Sequence, residues 1–520
     1  MIEWLRQHLP VLPIVVPLGG AALVLLVGEK NILLQRIMAM IVVVLLLLFG
    51  VLALQITAAG RLPVYLLGNW QAPFGIVLAL DKLTAIMLML TALISAVVLA
   101  AACAKAGKTA LGPAGPVKRV DEGVYFYPLF LLQLMGLNGA FLTADLFNLF
   151  VFFEVLLAAS YGMLLQHSDR SRTNAASHYV VINLFGSALF LIGVSLLYGV
   201  TGTLNMSDLS QKIHALPAGS RALVASAGFL LLVVFSIKSA LLPLNFWLTG
   251  TYGRALLPVA ALFALMTKVG VVAIARTLTL IYPDGGDINA HMRDVLLIVA
   301  PVTLLAAAFG ALAARELKVL IGWSVVGSAA MIITAMAIGN AKAISGALFY
   351  LIGSTVATAL LFLNAAAIDA SSAEATRRAK SNNSHWAWTG ALYLIGAAAM
   401  AGVPPFAGFI GKAVILMGAM QQAWAAWILT SILTASLLTM IAYARMGSRL
   451  FWKRDAASTA TYRLPTISLA MMVFAMTIFA APIQRFTDQT AIEMTRPQIM
   501  IDHVLGKLPQ QPPKKVEVPK

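Results

Sequence analysis

The chain has 520 residues, 60% of them hydrophobic and 11% charged; soluble domains carry roughly 25% charged residues, so this reads as a polytopic membrane protein. A formal net charge of +16 would suggest nucleic acid in a soluble chain, but short basic loops and the positive-inside rule account for it, and no nucleic-acid partner is expected. The lone cysteine, Cys103, excludes disulfides and cysteine-held clusters, and with no phosphate loop, dinucleotide fingerprint or zinc motif in context, neither a cofactor nor a metal site is expected.

About 20 apolar residues cross a bilayer, and on that measure the fold class is all-α with about fourteen transmembrane helices. Spans one to three, about 10–28, 32–57 and 76–103, form an N-terminal unit, residues 1–123. The first span lacks a basic leader and is followed by Gly28-Glu29-Lys30, so it reads as retained and not as a cleaved signal. Residues 124–280 hold spans four to eight, about 124–143, 145–166, 178–199, 222–248 and 255–280. Asp145, in the tight turn after span four, reads as the N-cap of span five. Residues 293–446 hold spans nine to thirteen, about 293–313, 318–338, 343–368, 387–420 and 424–446. A loop and span fourteen fill 447–484, and 485–520 is a polar, proline-containing tail.

Basic residues concentrate after the odd-numbered spans. Those loops hold Lys30, Arg36, Lys105, Lys108, Lys118, Arg119, Arg170, Arg172, Arg315, Lys318, Arg377, Arg378, Lys380 and Arg449 to Arg454. They should be cytoplasmic, which places both termini outside.

Within the spans, the stretch LLLVVFSIKSALLPLNFWL, Leu230 to Leu248, sets a lysine and a proline deep in an apolar run. A lysine near the bilayer centre costs roughly 2.5–3.5 kcal/mol on insertion scales. Pro243 removes a backbone donor and breaks the helix just beyond Lys238. A broken helix presenting a titratable cation inside a bundle is a transporter feature; a snorkelling lysine beside a routine kink is the plainer alternative. Glu154 lies nine residues beyond Asp145, roughly 13–14 Å down its helix. A carboxylate there must be protonated or paired, and Lys238 is the expected partner. Parting the two would leave the lysine able to lose its proton; a static pair that only fixes packing is the other reading. Lys268 lies mid-span in ALFALMTKVGVVAIAR, and Lys412 follows the second break, at Pro404 and Pro405, in PPFAGFIGKAVIL. Four buried titratable groups on four helices make the composition of a proton relay along the membrane midplane.

Arg276 reads as a snorkelling anchor, and Asp81 and Lys82 as a local pair at the head of span three. His178, near the start of span six, is an interfacial residue or a proton entry. Ser236, Ser239 and Thr249 offer hydroxyls for water. The breaks in spans seven and twelve fall about 160 residues and five spans apart. An odd interval inverts the second copy, so spans 4–8 and 9–13 are read as two inverted five-helix repeats with broken helices 7 and 12.

At these residues the chain resembles the antiporter-like membrane subunits shared by respiratory complex I and the multisubunit cation/proton antiporters. The family's fifth-helix glutamate matches Glu154, its seventh-helix lysine before LLP matches Lys238, its eighth-helix lysine matches Lys268, and its twelfth-helix charged group matches Lys412. The segments LGNWQAPFGIVLALDKL, GAFLTADLFNLFVFFEVLLAASYG and YGVTGTLNMSDLS look like the D-type subunits of the Mrp/Pha antiporters. The resemblance implies a bacterial inner-membrane complex of several subunits exchanging sodium or potassium against protons, with this chain an antiporter subunit and not an enzyme. One departure stands out: Gly353 and Thr358 occupy the places of a helix-eleven histidine and lysine, so a central link would run through water held by Ser354, Thr355 and Thr358, or through Lys268. The alternative role is a pumping subunit of NADH:quinone oxidoreductase or a membrane hydrogenase. The D-type motif around Pro73-Phe74-Gly75 and the short tail after Ala480 argue against it.

Overall fold

The computed structural model describes residues 7–28, 31–106, 111–112, 115–116, 125–166, 170–282, 286–375, 384–451 and 462–506. Lys30, Lys108, Lys118, Arg119, His167, Arg377, Arg378, Lys380, the residues 452–461 and the tail beyond 506 lie outside them, as does the Lys105 side chain.

The protein is almost entirely helical. Leu12–Val27 (α1) and Ile32–Ala58 (α2) lead into a short antiparallel hairpin, Val64–Leu66 (β1) and Val77–Ala79 (β2). Lys82–Ala106 (α3), Phe126–Leu142 (α4), Leu146–Leu165 (α5), Arg170–Thr201 (α6) and the short Met206–His214 (α7) follow. Then come Ala218–Ser239 (α8), Phe246–Arg254 (α9), Leu257–Phe263 (α10) and Met266–Arg276 (α11). The second part runs through Asp287–Ala313 (α12), Leu317–Ile338 (α13), Ala341–Ala375 (α14), Ser384–Ala401 (α15), Ala407–Ala419 (α16) and Ala425–Phe451 (α17). Arg463–Ile478 (α18), Ala480–Met494 (α19) and Pro497–Val504 (α20) close it. Among the described residues ten helices are long and apolar enough to cross a membrane, eleven if the pair α18 and α19, bent by 76°, is one crossing. The other spans read from the sequence are the shorter apolar helices α1, α4 and the two halves α15 and α16.

Short polar side chains start the helices where the chain turns. Asp145 caps α5, accepting from Asn148 N at 2.8 Å, and Asn205 caps α7, accepting from Ser207 N and Asp208 N. A cap matters here because the orphan amides of a helix end have little water to turn to.

Among the described residues two spans are broken at prolines and a third is interrupted without leaving the helical line, and in each the freed backbone finds partners. Between α8 and α9, Ala240 adopts a left-handed conformation. Leu242 N donates to Thr303 Oγ1 of α12 at 3.0 Å, and Trp247 Nε1 donates to Ile237 O at 3.1 Å. Between α15 and α16, Gly402 turns the chain at φ +82°, where an added Cβ would come within 2.8 Å of Lys412 Nζ. Pro404 and Pro405 follow, so both proline breaks lie where the sequence puts them. The third break was not expected. Span eight divides between Phe263 and Met266, with Tyr252 OH donating to Phe263 O at 2.8 Å.

The core is densest around α10, α11 and α14, each almost wholly buried. Residues 485–504, which read as tail, fold as the docked helices α19 and α20. α19 lies along α14, and Ser345 of α14 donates to Asp488 Oδ1 at 2.6 Å.

Candidate functional site

Lys238 and Lys412 flank the two proline breaks, and Lys412 meets a carbonyl that its break leaves free. Lys238 occupies the last turn of α8 and is 5% exposed. Its Nζ donates to Asn183 Oδ1 at 3.1 Å and lies 5.6 Å from the centre of the Phe153 ring. Glu154 is half-buried on α5 and accepts a hydrogen bond from Ser187 Oγ. Ser187 and Asn183 sit one turn apart on α6, and Ser187 Oγ also meets Asn183 O at 3.0 Å. Among the described residues Glu154 and Lys238 make no direct hydrogen bond; the Glu154 charge still acts on the lysine, but each bonds an α6 side chain, Ser187 and Asn183 respectively. The sequence reading missed both. They are neutral, and their signal is only the spacing Tyr179, Asn183, Ser187 along one face of an apolar helix.

Lys268, 1% exposed, stands in the first turn of α11, just past the third break. Its Nζ donates to Ser328 Oγ of α13 at 2.7 Å. Gly270 carries the link back to the first lysine: an added Cβ there would lie 2.9 Å from Lys238 Cβ and 2.5 Å from Ser239 Oγ. The Ser239 hydroxyl is buried and has no hydrogen-bond partner among the described residues. Ser328 in turn lines a small cavity in which Ser324, Tyr350, Lys412, Ser436 and Thr439 face apolar neighbours such as Leu304, Trp323 and Met331. It has room for about one water, and the hydroxyls and the lysine supply that water's partners. Lys412, 7% exposed, projects into it from α16. Its Nζ donates to Ala401 O, the open carbonyl end of α15, at 2.7 Å and to Ser436 Oγ at 3.0 Å. On the cavity wall Ser324 Oγ and Tyr443 OH are 2.8 Å apart.

The remaining candidates fall elsewhere. His178 is exposed on the opposite face of α6 from Asn183 and is not brought to the lysines. Ser354, Thr355 and Thr358 are buried on α14 but bonded to their own helix, Thr355 Oγ1 to Leu351 O and Thr358 Oγ1 to Ser354 O, each at 2.7 Å. At Gly353 an added Cβ would sit 3.0 Å from Ala407 Cβ of α16. Arg276 is no snorkelling anchor. It is 7% exposed and grips Asp81 with both terminal nitrogens, at 2.6 and 2.7 Å. Nor does Lys82 pair with Asp81; it reaches Glu493 of α19 at 2.7 Å.

Comparison with known proteins accords with this geometry. Residues 143–439 match the family described as NADH:quinone oxidoreductase/Mrp antiporter, TM. The chain is 36% identical to a probable K+/H+ antiporter D-type subunit of Rhizobium meliloti, over 97% of this chain and 99% of that one. It is 33% identical to the Na+/H+ antiporter D-type subunit of Alkalihalophilus pseudofirmus, over 96% and 99%. Its fold matches a chain of the Mrp complex from a Dietzia species with a TM-score of 0.85 at 24% identity, covering 96% of this chain and all of that one. A chain of Thermus thermophilus respiratory complex I matches at 0.75 and 23% identity, with the same coverage. The family match over residues 143–439 and kinship along nearly the whole length place this chain in the NADH:quinone oxidoreductase/Mrp antiporter family of membrane subunits.

Proposed function

We propose that this chain is the proton-translocating subunit of a multisubunit monovalent cation/proton antiporter, driven by the proton-motive force. The observation that carries the reading is the run of buried polar groups across the bundle. Glu154, Ser187, Asn183 and Lys238 form one segment, Lys268, Ser328, the cavity and Lys412 the other, and the Ser239–Gly270 contact joins them. The near-full-length relatives, each named as the D-type subunit of a K+/H+ or Na+/H+ antiporter, support the same reading.

The chemistry follows from burial. An ammonium without a carboxylate is expensive in a low-dielectric interior, so a lysine parted from Glu154 gives up its proton to the next acceptor. Hydroxyls and water carry it onward to Lys268 and Lys412. Each proton crossing 100 mV releases about 2.3 kcal/mol, available to expel a cation. The positive-inside rule supports a cytoplasmic position for the basic loops, and with it an outer position in a bacterial inner membrane for both termini and the Asp81–Arg276 pair.

The test is Lys238→Ala in the assembled complex, read in everted vesicles as cation-driven dequenching of a pH dye. Exchange should vanish at normal protein abundance; unchanged dequenching would sink the assignment. Purification in mild detergent separates this reading from a redox-driven pump. Small hydrophobic subunits and a second large antiporter-like chain should co-purify, whereas stoichiometric flavin or iron–sulfur proteins would replace the cation engine with a redox one.

A further inference from the structure

One set of buried polar groups lies outside the run from Glu154 to Lys412. Gln133 of α4 is 0% exposed, and neither its Nε2 nor its Oε1 has a hydrogen-bond partner among the described residues. Thr91 of α3 is likewise 0% exposed with an unpartnered hydroxyl. A buried amide left unpaired costs about 1–3 kcal/mol, so such groups in a native fold mark the place of internal water.

Two hydrogen bonds fix their depth. Thr84 Oγ1 of α3 donates to Phe141 O of α4 at 2.9 Å and accepts from Arg276 Nη2 of α11 at 3.2 Å. Thr84, Phe141 and Arg276 therefore share one level. From it Thr91 lies seven residues into α3, Gln133 eight residues back along α4 and Lys268 eight residues back along α11, in each case roughly 10–12 Å toward the membrane centre. Thr91 is also on the face of α3 that Thr84 presents, because seven residues make nearly two whole turns. Helix α4 packs against both α3 and α11. Thus the unpartnered hydroxyl and amide lie level with Lys268, and the Thr84 hydroxyl adjoins the Asp81–Arg276 pair roughly 10–12 Å farther out.

We propose that Thr84, Thr91 and Gln133 line a water-holding exit by which a proton leaves Lys268 for the face carrying Asp81 and Arg276, closed in this state by that ion pair. The inference rests on the relay reading above and gives it an outward branch. Lys268 passes its proton to a water held by Thr91 and Gln133, the lysine becomes neutral, and the excess proton moves by exchange along water to the outer side. No group is oxidised or reduced. The Arg276 guanidinium repels a cationic proton carrier, and its double grip on Asp81 keeps the carboxylate from accepting one, so the pair must part before release. Lys82 and Glu493, bonded to one another beside it, are the other charged groups facing this gate.

The experiment uses the full complex in everted vesicles, with Lys238→Ala as the control for the relay itself. Thr91→Val keeps the shape of threonine and removes its hydroxyl; combined with Gln133→Leu it should slow exchange about tenfold, the scale of one lost water-bridged step. Thr91→Ser, which restores the hydroxyl, should recover most of that loss. A purely packing role predicts the reverse, because valine fills the site better than serine. A second readout, in right-side-out vesicles, is independent of rate: with Cys103→Ala as background, Thr91→Cys should react with a membrane-impermeant thiol reagent from the outer side, and faster when Asp81→Asn weakens the gate. Full exchange in Thr91→Val/Gln133→Leu while Lys238→Ala abolishes it would overturn the exit and leave the relay standing. Full exchange in Lys238→Ala would overturn the relay reading itself.

Discussion

Asn183 shows how much of a charged site can rest on a neutral residue. Its Oδ1 accepts from Lys238 Nζ at 3.1 Å while its Nδ2 is held by Tyr179 O at 2.8 Å, so the amide is aimed by its own helix. Asn183→Leu should leave the ammonium facing hydrocarbon and lower exchange by about ten- to a hundredfold, on the scale of about 1–3 kcal/mol for a buried group left unpaired. Asn183→Asp tests the sign. A carboxylate there holds the lysine charged, so exchange should need a higher pH to reach half its maximum. Dye dequenching across a pH series reads both, and an unshifted profile in the aspartate variant would remove Asn183 from the relay. Glu154, Lys238, Lys268 and Lys412 were legible in the sequence because a charge in an apolar run is costly wherever it lies. Asn183, Ser187 and Ser328 were not, because a serine or asparagine in a membrane helix is common and only its neighbours across the helix interface give it a role.

The helix breaks show where sequence punctuation suffices and where tertiary contact decides. Pro243 and Pro404-Pro405 announce themselves through a lost donor and a barred helical turn. The break before Lys268 has no proline or glycine between Phe263 and Met266; the side chain that captures the freed Phe263 carbonyl is Tyr252, which belongs to the preceding half-helix. The same dependence on packing explains Gly353. The family resemblance would put a histidine there, yet in this chain α14 and α16 approach so closely that even a Cβ would lie 3.0 Å from Ala407 Cβ. Gly353→His should therefore lower the amount of folded complex, by overpacking of about 1–3 kcal/mol, instead of improving exchange. Pairing it with Ala407→Gly should recover part of the loss. Size-exclusion profiles of the detergent-solubilised complex measure this, and a normal profile with faster exchange would mean that the central link takes a histidine after all.

At the scale of the molecule, the C-terminal helices dock on helices that lie far apart in the sequence. The polar composition of 485–504 reads as a tail, because amphipathic helices lying across a bundle carry too few apolar residues to count as spans. In the fold, α19 binds α14 through Ser345 and Asp488 and binds α3 through Lys82 and Glu493, and α20 sets Met500 against Arg276. The strap thus touches α14, α3 and the pair proposed to close the exit. The Lys82–Glu493 bond is the one to test, since its two side chains are 13% and 15% exposed and so escape most solvent screening. Glu493→Lys sets two ammonium groups together and brings a further cation toward Arg276, so the complex should lose thermal stability and exchange should leak. Adding Lys82→Glu restores an opposite pair at the same place and should return more than half of the lost melting temperature. It should not return all of it, because the relocated lysine still faces Arg276 and the new glutamate adjoins Asp81. Equal losses in the single and the double variant, measured by thermal unfolding of the purified complex, would show that α19 is held by its apolar face alone and that the charges there belong to the gate and not to the strap.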